Sequence, residues 1–179
     1  MTFLLVLAFS MLAATNNLPV ALADARFIAT TCAKTNNDNC VDVLNANPDS
    51  NDASTVSDLA SISLDLAVSA ASDAGGVIND ESGTYGAGTP EGDALQTCSG
   101  LYLDAANDLD IDAHDSFSSG DYVTAKRLVA GAGEAADKCE QAFADADVGG
   151  SVMSDVDQKM KDRCGVARDL INLFIPAVV

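Results

Sequence analysis

Apolar residues return in steps of three and four along four separate stretches of this chain, and that rhythm admits one class of fold. In "STVSDLASISLDLAVSAASDAGGVINDE" the stripe runs through Val56, Leu59, Ile62, Leu66, Ala70 and Val77 or Ile78, the spacing of one face of an α-helix. Ser54 or Thr55 is placed to cap its start, and Gly75-Gly76 is expected to weaken its last turns. The glycine-rich "SGTYGAGTPEG" then reads as a loop. A second stripe starts near Pro90 and takes Leu95, Cys98, Tyr102, Ala105 and Leu109. After a break around Gly120, a third takes Ala125, Leu128, Ala132, Ala135, Cys139 and Ala142. The fourth runs through Val156, Met160, Ala167, Ile171 and Phe174 until Pro176 stops it. Long helices with short polar connections predict an all-α fold, an up-down-up-down four-helix bundle.

Two shorter segments precede the bundle. "ARFIATTCAK" and "CVDVLNAN" predict helices of two or three turns, too short to persist alone in water. Before them, residues 1–23 carry no charged side chain, and the apolar run from Phe3 to Ala14 has the length of a secretory leader rather than a membrane span. Ala21 and Ala23, spaced A-x-A, place cleavage before Asp24. The expected mature chain, residues 24–179, is one domain of a secreted protein.

Export makes the five cysteines legible, because disulfides persist in oxidising compartments. Arithmetic alone leaves their connectivity open. Spacing lets Cys32 and Cys40 close a local hairpin, while Cys98 and Cys139 each fall on the apolar stripe of a different helix. Cys164 is then left over as a buried free thiol beside the fourth stripe. A Cys98–Cys139 bridge would close a loop of about 42 residues and contribute roughly 4 kcal/mol on the chain-entropy model; Cys32–Cys40 would contribute about 2.5 kcal/mol. No CxxC pair or Cys/His cluster occurs, which argues against zinc and thioredoxin-type chemistry.

Charge narrows the partners. The chain has 27 acidic residues against 9 basic ones, with no Lys or Arg between Lys34 and Lys126. Such a surface repels nucleic acid, anionic membranes and acidic polysaccharides, and attracts a basic protein. The single histidine, His114 in "DLDIDAHDSF", has no nucleophile and orienting group assignable to it, so no catalytic set is expected and His114 reads as an exposed polar residue. Asp108, Asp110 and Asp112 alternate like the start of a calcium loop. Ala113 stands where that loop needs glycine, however, and Ser119 where it needs a bidentate Glu. Neither a metal nor a cofactor is expected.

A hairpin with Cys-x7-Cys followed by four long helices, with cysteines on the second and third, resembles the plant invertase and pectin methylesterase inhibitor family. The strings "TCSGLYLDAANDLD", "SSGDY", "KCEQAF" and "CGVARDLINLFIP" carry the likeness over nearly the whole mature chain. The resemblance implies bridges Cys32–Cys40 and Cys98–Cys139. It also implies a secreted, non-enzymatic protein at the cell wall that binds one enzyme molecule stoichiometrically and blocks its carbohydrate cleft.

Two target enzymes are in question. Invertase inhibitors of the family carry Pro-Lys-Phe after a Gly-Asp step at the start of the third bundle helix; here Gly120-Asp121 is followed by Tyr122-Val123-Thr124. That departure, with "SGDY" and the segment from Cys164 to Pro176, resembles the pectin methylesterase branch, with acid invertase as the alternative. The pectinesterase pattern has its own departures. Lys138 replaces a common Thr, Gly100 a Glu and Gln141 an acid, whereas Asp104 matches an acidic position. These changes are also what a bundle that has lost its target would show. The implied enzyme-binding surface lies on the second and third bundle helices, at Asp104, Asp121, Tyr122, Lys138 and Gln141. Tyr122 reads either as an exposed interface anchor or as a closure of the bundle's end.

Overall fold

Thr55 and Asp58 start the first bundle helix by capping each other's backbone. The Thr55 hydroxyl accepts from the Asp58 amide at 3.1 Å, and the Asp58 carboxylate accepts from the Thr55 amide at 2.8 Å, so two otherwise orphaned donors are satisfied at once. Similar chemistry opens the next two. Thr89 accepts from the Gly92 amide with Pro90 in the first turn, and Asp121 accepts from the Thr124 amide.

The computed structural model describes residues 18–176, with side chains from residue 25 onward. Its helices are α1 (Leu18–Cys32), α2 (Cys40–Asn45), α3 (Val56–Ser82), α4 (Pro90–Asn107), α5 (His114–Ser118), α6 (Tyr122–Asp145) and α7 (Ser154–Asn172). Among the described residues there is no strand, and no helix is long and apolar enough to cross a membrane. Residues 1–17 of the expected leader lie outside the described residues; Leu18–Ala23 form the start of α1, which is longer than the sequence suggests. Helices α3, α4, α6 and α7 pack in a closed ring, each against two neighbours, as the up-down-up-down reading requires.

Helix α4 does not end at Asn107. Residues Asp108–Ala113 wind as a π-helix, so Pro90–Ser118 is one helical rod. The cause lies in the spacing of its core residues. Ala105, Leu109, Ala113 and Phe117 are all buried at intervals of four, an interval that outruns the 3.6-residue α-turn and would swing the stripe off the core. The wider π-turn absorbs the excess and keeps Phe117 inward. Beyond it Phe117 meets Tyr122 edge-on with centroids 5.5 Å apart, and Tyr122 stacks on Phe174 at 4.9 Å. The three rings close this end of the bundle.

The faces shift in detail. On α6 the buried residues are Ala125, Val129, Ala132, Ala135, Ala136, Cys139 and Phe143; Leu128 and Ala142 are half-buried, and their neighbours Val129 and Phe143 take the interior instead. On α3 Ile62 is likewise half-buried, with Ser63 and Leu64 inside. Gly75-Gly76 does not end α3, which runs on to Ser82, with buried Ala74 and Ile78 on either side of the pair. His114 is not an exposed residue: it is half-buried, with Nε2 3.3 Å from Asp65 of α3.

Both expected bridges are present, Cys32–Cys40 and Cys98–Cys139, and Cys164 is a buried free thiol. Burial pushes the Cys164 thiol up to about 12. Its neighbours are Met160 and Gly133, where a Cβ would come within 3.1 Å of the Cys164 Cβ. The hairpin of α1 and α2 buries Ile28 and Leu44 fully. Its polar turn is no mere surface loop. Asn37 donates to Asp169 at 3.4 Å and Asn39 to Asp162 at 2.8 Å, so the asparagines between the two cysteines fasten the hairpin to α7.

Replacing Cys98 and Cys139 together by Ala is expected to lower the unfolding free energy by about 4 kcal/mol, read from the urea transition. Cys164 should resist iodoacetamide at pH 8 in the native protein and react fully in denaturant, as counted by intact mass; native alkylation would show that the thiol is accessible.

Candidate functional site

The α4–α6 pair offers a continuous outer face because its two helices are joined covalently in their interior. Cys98 and Cys139 are both wholly buried, with Cα atoms 4.8 Å apart, so the backbones are held close. Small residues permit that approach, since Ala94, Ala105, Ala132, Ala135 and Ala136 fill much of the seam. The polar side chains outside it are set on a frame with little freedom.

Of the five residues expected on the binding surface, three lie exposed on this face. Asp104 projects from α4, and Lys138 and Gln141 from α6. Lys138 is 59% exposed, its Nζ 3.3 Å from Glu134; Gln141 donates to Asp145 at 2.7 Å. These are i,i+4 pairs in water, of little energetic consequence, and each is free to exchange for an intermolecular partner.

The other two occupy a different place with different duties. Tyr122 and Lys138 are sixteen residues apart on one helix, about 24 Å along its axis, so the five do not converge. Asp121 caps α6, and hydrogen bonds from the Thr124 side chain and amide hold its carboxyl below the usual carboxylate range. Tyr122 is half-buried between Phe117 and Phe174. Of its two readings, closing the bundle's end is the one the packing supports.

Other features were not legible in advance. Leu103 is 64% exposed beside buried Tyr102; it stands off the stripe, a sign visible in the sequence but not distinctive. It edges an open groove of about 710 Å³ between α3 and α4, floored by Ile78 and Leu95 and flanked by Tyr85. Asp108, Asp110 and Asp112 fall in the π segment, and among the described residues no three His, Cys, Asp or Glu side chains are grouped to hold a metal ion.

Electrostatically the rod is one-sided. From Thr35 to Ala125, the span that holds α3, α4 and α5, there is no Lys or Arg. Lys126, Arg127 and Lys138 lie on α6, and Lys159, Lys161, Arg163 and Arg168 on α7. Several are already engaged: Lys159 sits 2.6 Å from Asp73, Lys161 3.2 Å from Asp137, and Arg168 2.9 Å from Asp169.

Two solved structures share this architecture. A mutant form of a pectin methylesterase inhibitor from Arabidopsis superposes with a TM-score of 0.68 at 24% identity, covering 82% of this chain and 95% of that one. A pectin methylesterase inhibitor from Arabidopsis thaliana superposes with a TM-score of 0.61 at 22% identity, covering 86% and 99%. At these identities the likeness is one of fold. Among curated proteins no sequence match is found. The sequence model described as "Plant invertase/pectin methylesterase inhibitor" matches residues 26–172, a span that takes in the hairpin, both bridges and nearly all of the four bundle helices. With fold, disulfide framework and sequence pattern in agreement, the chain belongs to the plant invertase/pectin methylesterase inhibitor family.

Proposed function

We propose that this protein is secreted, loses residues 1–23, and blocks pectin methylesterase at the cell wall by one-to-one binding through its α4–α6 face. Family membership across residues 26–172 is the observation that carries the reading. It acts as a rigid plug, and the buried Cys98–Cys139 bridge limits the ordering entropy that a flexible surface would lose on binding. The choice of pectin methylesterase over acid invertase rests on Tyr122-Val123-Thr124, which supplies neither the cation nor the protruding ring of Pro-Lys-Phe; the ring present, Tyr122, is turned into the bundle's end against Phe174.

A second reading, a family bundle without a target, is favoured by the changes at Lys138 and Gly100, both exposed. A long cation at the position where the family commonly has a short hydroxyl costs desolvation in an interface unless an acid meets it. The two readings differ in what a titration shows.

Purified protein is expected to abolish pectin methylesterase activity at equimolar ratio and leave acid invertase untouched; inhibition of neither enzyme favours the targetless bundle. Raising salt from 50 to 500 mM should slow association with a basic enzyme at least several-fold and change dissociation little, as read by surface plasmon resonance. Lys138→Thr should tighten binding to pectin methylesterase about tenfold, or roughly 1.4 kcal/mol, by removing the desolvated ammonium.

A further inference from the structure

Three acidic or phenolic side chains from three different helices meet in the interior. Tyr102 of α4 is 2% exposed and Asp157 of α7 is 1% exposed. The Tyr102 hydroxyl donates to Asp157 Oδ1. The other Asp157 oxygen, Oδ2, is buried with no partner, and so is Oε1 of Glu140 on α6. The two carboxyl groups lie within hydrogen-bonding reach of each other. Two facing carboxylate oxygens shut away from water cannot both belong to anions, because desolvation and mutual repulsion act in the same direction. A single hydrogen on one of them satisfies both orphans, since a carboxyl O–H donates and the facing carboxylate accepts.

We propose that Asp157 and Glu140 share one proton, and that this proton together with the Tyr102 hydroxyl clamps α4, α6 and α7 to one another. Loss of the proton leaves two buried negative charges across the α6–α7 seam. The bundle is therefore tightest in mildly acidic surroundings and loosens on the alkaline side. Neither the family's fold nor the proposed binding face requires this device, so it stands or falls independently of them.

The groups that face the clamp support this reading. Burial raises the Asp157 carboxyl to about 7; the Tyr102 hydrogen bond and the Lys161 ammonium pull the other way without cancelling it, and Glu140 pushes it further up. Burial and Asp157 together hold the Tyr102 phenol far above its ordinary range. Cys164, also on α7, stays a neutral thiol across the window, with its pKa raised to about 12. Lys161 is itself shared with Asp137 of α6 at 3.2 Å. On α3, Asp73 is held by Lys159 at 2.6 Å.

The sign follows from linkage. Between an ordinary value of 3.8 and about 7, the native state holds a proton at Asp157 that the unfolded chain does not. Its contribution to stability is complete below the lower value and is lost as pH rises through the upper one. Exposed carboxylates are already ionised above about pH 6, so the interval from 6 to 8 separates the clamp from the general repulsion of an acidic protein. The one histidine, His114, is paired with Asp65 of α3 at 3.3 Å and needs its own control.

Thermal unfolding of the purified protein by circular dichroism at pH 6.0 and pH 8.0 tests the clamp. The wild-type midpoint should fall by about 3–6 °C. In Asp157→Asn the amide donates to Glu140 and accepts from Tyr102 with no proton to lose, and the fall should shrink to less than about 2 °C; His114→Gln should keep at least half of it. A full fall in Asp157→Asn, or its disappearance in His114→Gln, overturns the proposal. Carbon-13 NMR of the wild-type Asp and Glu carboxyls decides the matter even if Asp157→Asn does not fold. One resonance should titrate near pH 7, and the absence of any carboxyl titrating above pH 6 overturns the clamp.

Discussion

The bond between Cys98 and Cys139 sits where the bundle has least else to hold it. Helix α6 meets its neighbours largely through alanines, and an alanine removes little apolar surface from water compared with a leucine. What the small side chains give instead is proximity, with the two cysteine Cα atoms 4.8 Å apart. Close backbones and a covalent link are two aspects of one solution. Larger residues in the seam would push the sulfurs out of bonding range, and without the bond the small residues would leave α4 and α6 weakly associated. The outer face of this pair inherits its rigidity from that seam.

The π segment solves a related problem further along the same rod. Three successive intervals of four carry the core stripe from Ala105 to Phe117, and regular α-geometry would have turned Phe117 away from Tyr122 and Phe174. A local widening keeps the aromatic closure in register with the disulfide in the middle of the rod. The rod is thus pinned at two places, by sulfur in its middle and by stacked rings at its tip.

Much of this was readable from residues alone. Stripes at Leu59, Cys98, Ala132 and Met160 fix four helices because periodicity reports on which face meets an apolar interior, whatever the partner. Thr55 was readable because a cap is local chemistry. The remainder depended on contacts distant in sequence or on competition between adjacent residues. Val129 rather than Leu128 faces the core, a choice between adjacent apolar residues that spacing does not encode. "DLDIDA" has nothing in its composition that distinguishes a π-turn from an α-turn. The attachment of Asn37 and Asn39 to α7 joins residues more than a hundred positions apart. Asp157 reads as an ordinary solvated acid until Tyr102 and Glu140 are seen to enclose it. The candidate surface divided the same way: Asp104, Lys138 and Gln141 stand outward on the expected helices, whereas Asp121 and Tyr122 serve the bundle's own corner.

The uneven placement of charge along the chain has a consequence before any contact is made. With the lysines and arginines of the bundle confined to α6 and α7, and none on the flank formed by α3, α4 and α5, the molecule behaves in solution as an oriented dipole as well as a net anion. In the field of a positively charged body it turns its α3–α5 flank forward while still several ångströms away, within the reach that salt leaves unscreened. Diffusion therefore delivers it with α4, the helix that this flank shares with the α4–α6 face, already turned toward that body, and fewer collisions begin at α7 on the opposite side.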